Sequence, residues 1–130
     1  LVFLGIKEKD DSNDIKYLVD KILNVRLFPQ NPSNHGFEIS VLDSSKDILV
    51  VSQFTLYGST RKGRRPSFSK AADSEIALPI YERTLEELKK THLNIQSGVF
   101  GAYMEITSIN SGPVTIMIDS DEKNSPRKAF

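Results

Sequence analysis

Cysteine is absent from the 130 residues, which excludes disulfides, zinc-thiolate sites and a cysteine nucleophile and leaves packing and hydrogen bonding to hold the fold. Long apolar runs are absent as well. Leu1 to Ile6 and Ile48 to Val51 fall far short of the ~20 residues that span a bilayer, so no membrane segment is expected. Neither charge sign is in excess: 17 Lys and Arg balance 17 Asp and Glu. Any nucleic-acid contact must then come from a local arrangement of charge and not from a global basic field, which argues against non-specific duplex binding. There is no Gly-rich phosphate loop, no pair of catalytic carboxylates and no metal-ligand spacing. The two histidines, His35 and His92, stand on a polar loop and at a helix end with no carboxylate or hydroxyl at motif spacing, as surface residues do. No metal and no cofactor are expected, and an ordinary acid–base or metal hydrolase is poorly supported.

What is present fits one domain with one core, at 38% hydrophobic content. Leu1 is not methionine and stands in an apolar run with no turn before it, so the natural start is expected upstream. Leu1 to Ile6 reads as a buried strand. Asp10, Asp11 and Asp14, with Ser12 and Asn13, supply a cap and favourable dipole charges for a helix carrying Ile15, Leu18, Val19, Ile22 and Val25 at helical spacing. Pro29 to Gly36 is a surface loop. Phe37, Ile39 and Val41 alternate with Glu38, Ser40 and Leu42 as in a strand, Asp43 to Asp47 makes a polar turn, and a strand from Ile48 to about Leu56 completes an expected antiparallel hairpin. Tyr57 to Ala71 is a long basic loop. Asp73 or Ser74 caps a second helix reaching Lys90, with Pro79 implying either a start near that proline or a kink there. Phe100, Ala102, Met104 and Ile106 have strand periodicity, as does Val114 to Ile118. Asp119 to Phe130 is expected to be an irregular, loosely attached tail.

Three segments could carry chemistry, and each has two readings. Ser52-Gln53-Phe54-Thr55-Leu56 interrupts an apolar strand with polar side chains. Either the strand emerges into solvent there, or the amide and hydroxyls meet a ligand that repays the roughly 1–3 kcal/mol that burying each unpaired would cost. Asn110-Ser111-Gly112-Pro113-Val114-Thr115 is either a plain turn or a loop whose glycine lets backbone approach a ligand and whose Gly-Pro bond fixes carbonyl directions. The run from Arg61 to Lys70 carries Arg61, Lys62, Arg64, Arg65 and Lys70 around Gly63 and Phe68. It is either a solvated charge run or a grip on a phosphate backbone with a base stacked beside it.

Taken together, the first two segments resemble the two signature motifs of the D-aminoacyl-tRNA deacylase (D-tyrosyl-tRNA deacylase) family, in the same order and at a suitable separation. Leu1 to Asp11, Arg65 to Lys70, and Gln96, Gly98 and Phe100 resemble further parts of it, so that the likeness covers residues 1 to 118. It implies an α+β fold: a mixed, mostly antiparallel, curved and barrel-like sheet with two helices, as a single domain over residues 1–118 and a tail over 119–130. It also implies a cytoplasmic homodimer with active sites at the subunit interface that hydrolyses the ester of D-aminoacyl-tRNA at the tRNA 3′ end, and a site with no steric reason to refuse glycine.

On this resemblance Ser52, Gln53, Phe54 and Thr55 form the catalytic strand end. Gly112 and Pro113, joined in cis, enter the partner's pocket and refuse an L side chain, while Phe100, Ala102 and Met104 line the pocket or the terminal adenosine. Arg61, Lys62, Arg64, Arg65 and Lys70 would contact tRNA. Two mechanisms fit: attack by Thr55, for which no activating base is visible, or water activated with help from the substrate's own 2′-hydroxyl. The family also begins with a strand hairpin whose arginine helps to fix the Gly-Pro segment, and this sequence starts beyond it. The rival functions are a non-catalytic nucleic-acid-binding module built on the basic loop and a hydrolase of D-amino acid esters or peptides that needs no tRNA.

Overall fold

The computed structural model describes residues 1–126 and gives a mixed α/β fold. β1 (Val2–Leu4) lies inside the expected first strand, and α1 (Ser12–Asn24) follows it. Asp11 caps α1: its carboxylate accepts the N–H groups of Asn13 and Asp14, while Asp14 accepts the N–H of Asp11 in return. β2 (Arg26–Phe28), a strand not anticipated from the sequence, pairs antiparallel with β3 (Ile39–Ser40).

The expected hairpin between residues 37–42 and 48–56 does not form. Ser40-Val41-Leu42-Asp43 is a second capping box, with Ser40 and Asp43 bonding each other's backbone, and it starts the short α2 (Val41–Ser44), which closes on Ser45 in the left-handed region. Cap chemistry overrides the alternation that resembled a strand. β4 (Ile48–Ser52) instead lies between β1 and β5 (Ile95–Ser97), parallel to both. Instead of a mostly antiparallel sheet there is thus a three-stranded parallel one with order β1-β4-β5, beside the β2-β3 pair. Neither is closed into a barrel.

α3 (Ser74–Lys89) runs through Pro79 without restarting there. The proline and the Glu75 carbonyl it leaves without a helical donor are both on the exposed side, where water can serve as partner. On the other side Ala77, Tyr81, Thr84, Leu85 and Leu88 are buried against the sheet, with Leu88 and Val50 fully inaccessible.

The segments 100–106 and 114–118 are not strands among the described residues. From Tyr103 to Ile118 no backbone–backbone hydrogen bond is made among the described residues, and Tyr103, Ile109 and Met117 are exposed. The tail departs from expectation in the other direction. Residues Ser120–Asn124 form a C-terminal 3-10 turn, Ser120 is buried, and Lys123 Nζ lies 2.5 Å from Asp14 Oδ1. Residues 127–130 of the tail lie outside the described residues.

Burial alone would raise the Asp14 pKa, but the Lys123 ammonium, the Asp11 N–H and the Ser120 hydroxyl outweigh it and hold it at about 2. A carboxylate depressed in the folded state stabilises it above the unfolded pKa of 3.8 and loses that contribution as pH falls through about 2. Asp14→Asn is therefore expected to destabilise the chain by on the order of 2 kcal/mol at pH 7, a gap that shrinks as pH falls from 4 towards 2. Urea denaturation across that range measures it, and a gap independent of pH would refute the assignment.

Candidate active site

β4 ends where its apolar run ends. Ser52 stands opposite Leu4 of β1, the Gln53 N–H donates to the Leu4 carbonyl at 2.8 Å, and the chain tightens into a 3-10 turn, Phe54–Tyr57. This turn replaces the expected continuation of the strand to Leu56. The N–H of Leu56 returns to the Gln53 carbonyl, but those of Phe54 and Thr55 have no backbone acceptor among the described residues, as is usual for the first donors of a helical turn. The Thr55 hydroxyl accepts from Gln53 Nε2. No carboxylate, imidazole or amine is hydrogen-bonded to it among the described residues.

A cleft of about 560 Å³ opens against this strand end, outside the carboxyl ends of β1 and β4, where parallel sheets commonly receive ligands. Ser52, Gln53 and Phe54 line it on one side and Phe100, Ala102 and Met104 on another. Phe68 closes it with its ring edge-on to Phe54, 5.1 Å between centroids. Gly98 makes room for the Met104 thioether: a Cβ there would stand 2.6 Å from its sulfur. Beneath the cleft Tyr81 packs on Phe100 at 5.4 Å and donates its hydroxyl to the Val50 carbonyl at 3.1 Å.

The structure thus brings six of the sequence-selected residues to one cleft and leaves others apart. Thr55 is outside the lining. Gly112 and Pro113 are exposed and joined by a cis peptide, with Gly112 at φ 128°. The Asn110 side chain staples their turn, Oδ1 accepting from the Val114 N–H and Nδ2 donating to the Thr115 hydroxyl, both at 2.9 Å. In the basic loop, tied at its neck by paired Ser59 and Ser67, Arg61 and Lys70 line a separate shallow cleft of about 420 Å³ with Leu56 to Thr60. Lys62, Arg64 and Arg65 extend into solvent and do not line it.

Sequence reasoning placed Phe68 with the basic loop and not with the Phe54 face. It gave Tyr103 no role, although Tyr103 and Ile106 both line the cleft. Ile106 shares the alternation of Phe100, Ala102 and Met104. Nothing in that pattern singles out Tyr103. Tyr57, last in the turn, is held up to about 12 by burial and then by the negative charge of Asp10, which keeps it a neutral phenol.

A family model described as D-Tyr-tRNA(Tyr) deacylase matches residues 1–119. The chain belongs to this family. A D-aminoacyl-tRNA deacylase of Halothermothrix orenii is 50% identical over 123 residues, 95% of this chain and 81% of the relative. One of Aquifex aeolicus is 48% identical over 121 residues, 93% and 80% of the two. Among solved structures, the c-Myc DNA Unwinding Element Binding Protein superposes with a TM-score of 0.82 at 40% identity, covering 90% of this chain and 78% of that one. A probable eukaryotic D-amino acid tRNA deacylase gives 0.64 at 17% identity, covering 78% and 74%, and speaks for the shared fold alone. The family match stops just before the C-terminal 3-10 turn.

Proposed function

We propose that this chain hydrolyses the ester bond of D-aminoacyl-tRNA, releasing free D-amino acid and tRNA, and so proofreads chirality for translation in the cytoplasm. The observation that carries the reading is the convergence of the Ser52-Gln53-Phe54 strand end with Phe100, Ala102 and Met104 on one cleft, in a chain of the deacylase family. No described helix is long and apolar enough to cross a membrane.

In this reading residues 1–118 are one deacylase domain. The aminoacyl ester lies in the cleft with the terminal adenosine against Phe100 and Met104, and the free N–H groups of Phe54 and Thr55 steady the oxyanion that forms as the carbonyl is attacked. Arg61, Lys62, Arg64, Arg65 and Lys70 meet tRNA phosphates. The active unit is a homodimer in which the carbonyls of one protomer's Gly112–Pro113 loop enter the other's cleft and refuse an L side chain. Exposed apolar side chains between Tyr103 and Met117 give such an assembly surface to cover. Once paired, this segment extends the sheet towards the curved, barrel-like form.

The uncoupled Thr55 hydroxyl favours water assisted by the substrate's 2′-hydroxyl over attack by Thr55. Thr55→Ala is accordingly expected to lower kcat/KM by less than about tenfold, against the roughly 10²–10⁴-fold that loss of an essential acid or base costs. Single-turnover deacylation measures this, and a loss in the upper range would restore Thr55 as nucleophile.

The function itself is tested by the hydrolysis rates of one tRNA charged with D-tyrosine, L-tyrosine or glycine. Rapid loss of the D ester with the L ester spared is expected, and glycine should be cleaved as well because it offers no side chain to refuse. Absent hydrolysis with retained tRNA binding would instead identify a nucleic-acid-binding module, and equal hydrolysis of the D and L esters would overturn chiral selection.

A further inference from the structure

The strand-end turn has two faces. Phe54, at its start, lines the cleft described above, whereas Leu56 and Tyr57, at its end, line the shallow cleft of about 420 Å³ beside the basic loop. The loop divides in the same way, with Phe68 on the first cleft and Lys70 on the second. Turn and loop are in close contact where they form this common wall: a Cβ at Gly58 would stand 3.0 Å from both the Phe68 ring and the Thr55 carbonyl oxygen. At about 2.0 Å per residue in a 3-10 helix, Phe54 and Tyr57 are roughly 6 Å apart along the turn.

The second cleft suits an anion. Its lining holds two cations, Arg61 and Lys70, and no carboxylate, while Tyr57, Ser59 and Thr60 add hydroxyl groups. Asp10, Asp119 and Asp121, whose charge reaches Tyr57, are outside that lining. Neither cation forms an ion pair among the described residues. The backbone that carries them is fixed before any ligand arrives. Ser59 and Ser67 exchange N–H···O bonds of 2.7 and 2.9 Å just ahead of Arg61, and beyond Lys70 the Ala71 N–H donates to the Phe68 carbonyl at 3.0 Å and the Ala72 N–H to the Ile6 carbonyl at 2.9 Å. A ligand held on such a frame costs less to order than one held by a loose loop. Past this neck Gly63 turns the chain at φ 72°, and Lys62, Arg64 and Arg65 stand out in solvent.

We infer that this cleft is a phosphate subsite for the 3′ strand of the substrate: Arg61 and Lys70 hold one of the phosphodiesters joining the last three nucleotides of tRNA, while the ester lies across the turn in the first cleft. Those phosphodiesters are the nearest negative charges that a tRNA ester carries, and the thin common wall sets the two clefts a short step apart. The cations of the loop then divide their work. Arg61 and Lys70 fix the aminoacylated end at contact range, and Lys62, Arg64 and Arg65 supply the longer-range attraction that any phosphate backbone feels. The inference rests on the tRNA-ester reading above and adds to it a place for the nucleotides behind the terminal adenosine.

Two substrates test it on the full chain: the 3′ D-tyrosyl ester of the trinucleotide cytidylyl-cytidylyl-adenosine, with two phosphodiesters, and that of adenosine, with none. The unaltered chain is expected to prefer the trinucleotide ester in kcat/KM. Arg61→Gln and Lys70→Gln should each lower that preference about tenfold, the scale of one charge-assisted contact, whereas Lys62→Gln, outside the cleft, should change it less than twofold. Both altered residues are exposed and outside the core, so the variants fold. No preference in the unaltered chain would overturn the subsite, as would equal losses on the two esters or a loss from Lys62→Gln as large as the others. If the unaltered chain cleaves neither ester, the functional reading falls, and calorimetric titration with the uncharged trinucleotide still decides the subsite. Binding about tenfold weaker in Arg61→Gln and Lys70→Gln would uphold it, and unaltered affinity would overturn it.

Discussion

Gly112→Ala is expected to lower D-aminoacyl-tRNA hydrolysis by about 100-fold, the scale on which a displacement of roughly 1 Å in a positioning group acts. Two features make this position intolerant. Its φ of 128° lies where L side chains rarely go, and a Cβ built there would stand 2.8 Å from Val114 Cγ2. Val114 is itself held, since its N–H bonds to Asn110 Oδ1, so relieving the clash means giving up the staple. The strain is confined to an exposed loop outside the core, so the variant should lose about 1–3 kcal/mol of stability and remain folded. Loss of activity well beyond what this stability change removes from the folded population is the signature of a residue that acts on substrate through geometry. If activity persists with the D-to-L ratio intact, Gly112 has no part in selection.

The local shape of two candidate segments was legible in the sequence because it is set by neighbouring residues. Asn110 to Thr115 carries the usual turn formers, and a turn is found there, although the Asn110 staple that closes it was not foreseen. A polar interruption in an apolar strand marks the point where the strand leaves the core, although Phe54 to Tyr57 leave it as a tight turn and not as further strand. Periodicity also located both long helices.

What it could not give was pairing. The alternation in 37–42 cannot reveal that Ser40 and Asp43 cap a helix, and two short apolar runs do not say whether they meet each other or β1 and β5. The runs 100–106 and 114–118 show the converse. Their strand periodicity is clear, yet no strand partner is found for them among the described residues, and periodicity alone does not make a strand. The tail lacks periodicity because ion pairs and not apolar packing hold it, and pairs between residues 7 and 121 or 14 and 123 leave no trace in spacing.

Tyr81→Ala is expected to destabilise the chain by about 3–5 kcal/mol, the range for emptying a buried aromatic site, and to impair substrate binding even where the variant is folded. Tyr81 is 3% exposed and touches both sides of the problem: its ring supports Phe100 in the cleft wall, and its hydroxyl reaches the carbonyl of Val50 in the strand that ends at Ser52. Tyr81→Phe separates the two contributions. The ring contact survives, and the Val50 carbonyl is not orphaned because the Gly98 N–H also donates to it at 2.9 Å. Only one net hydrogen bond is lost, about 1 kcal/mol. Urea denaturation of both variants, with KM for D-tyrosyl-tRNA at a temperature where each is folded, makes the comparison. Packing of Phe100 is the operative link if phenylalanine preserves KM and alanine raises it, whereas equal damage from both would assign the effect to the hydroxyl and to the placement of β4.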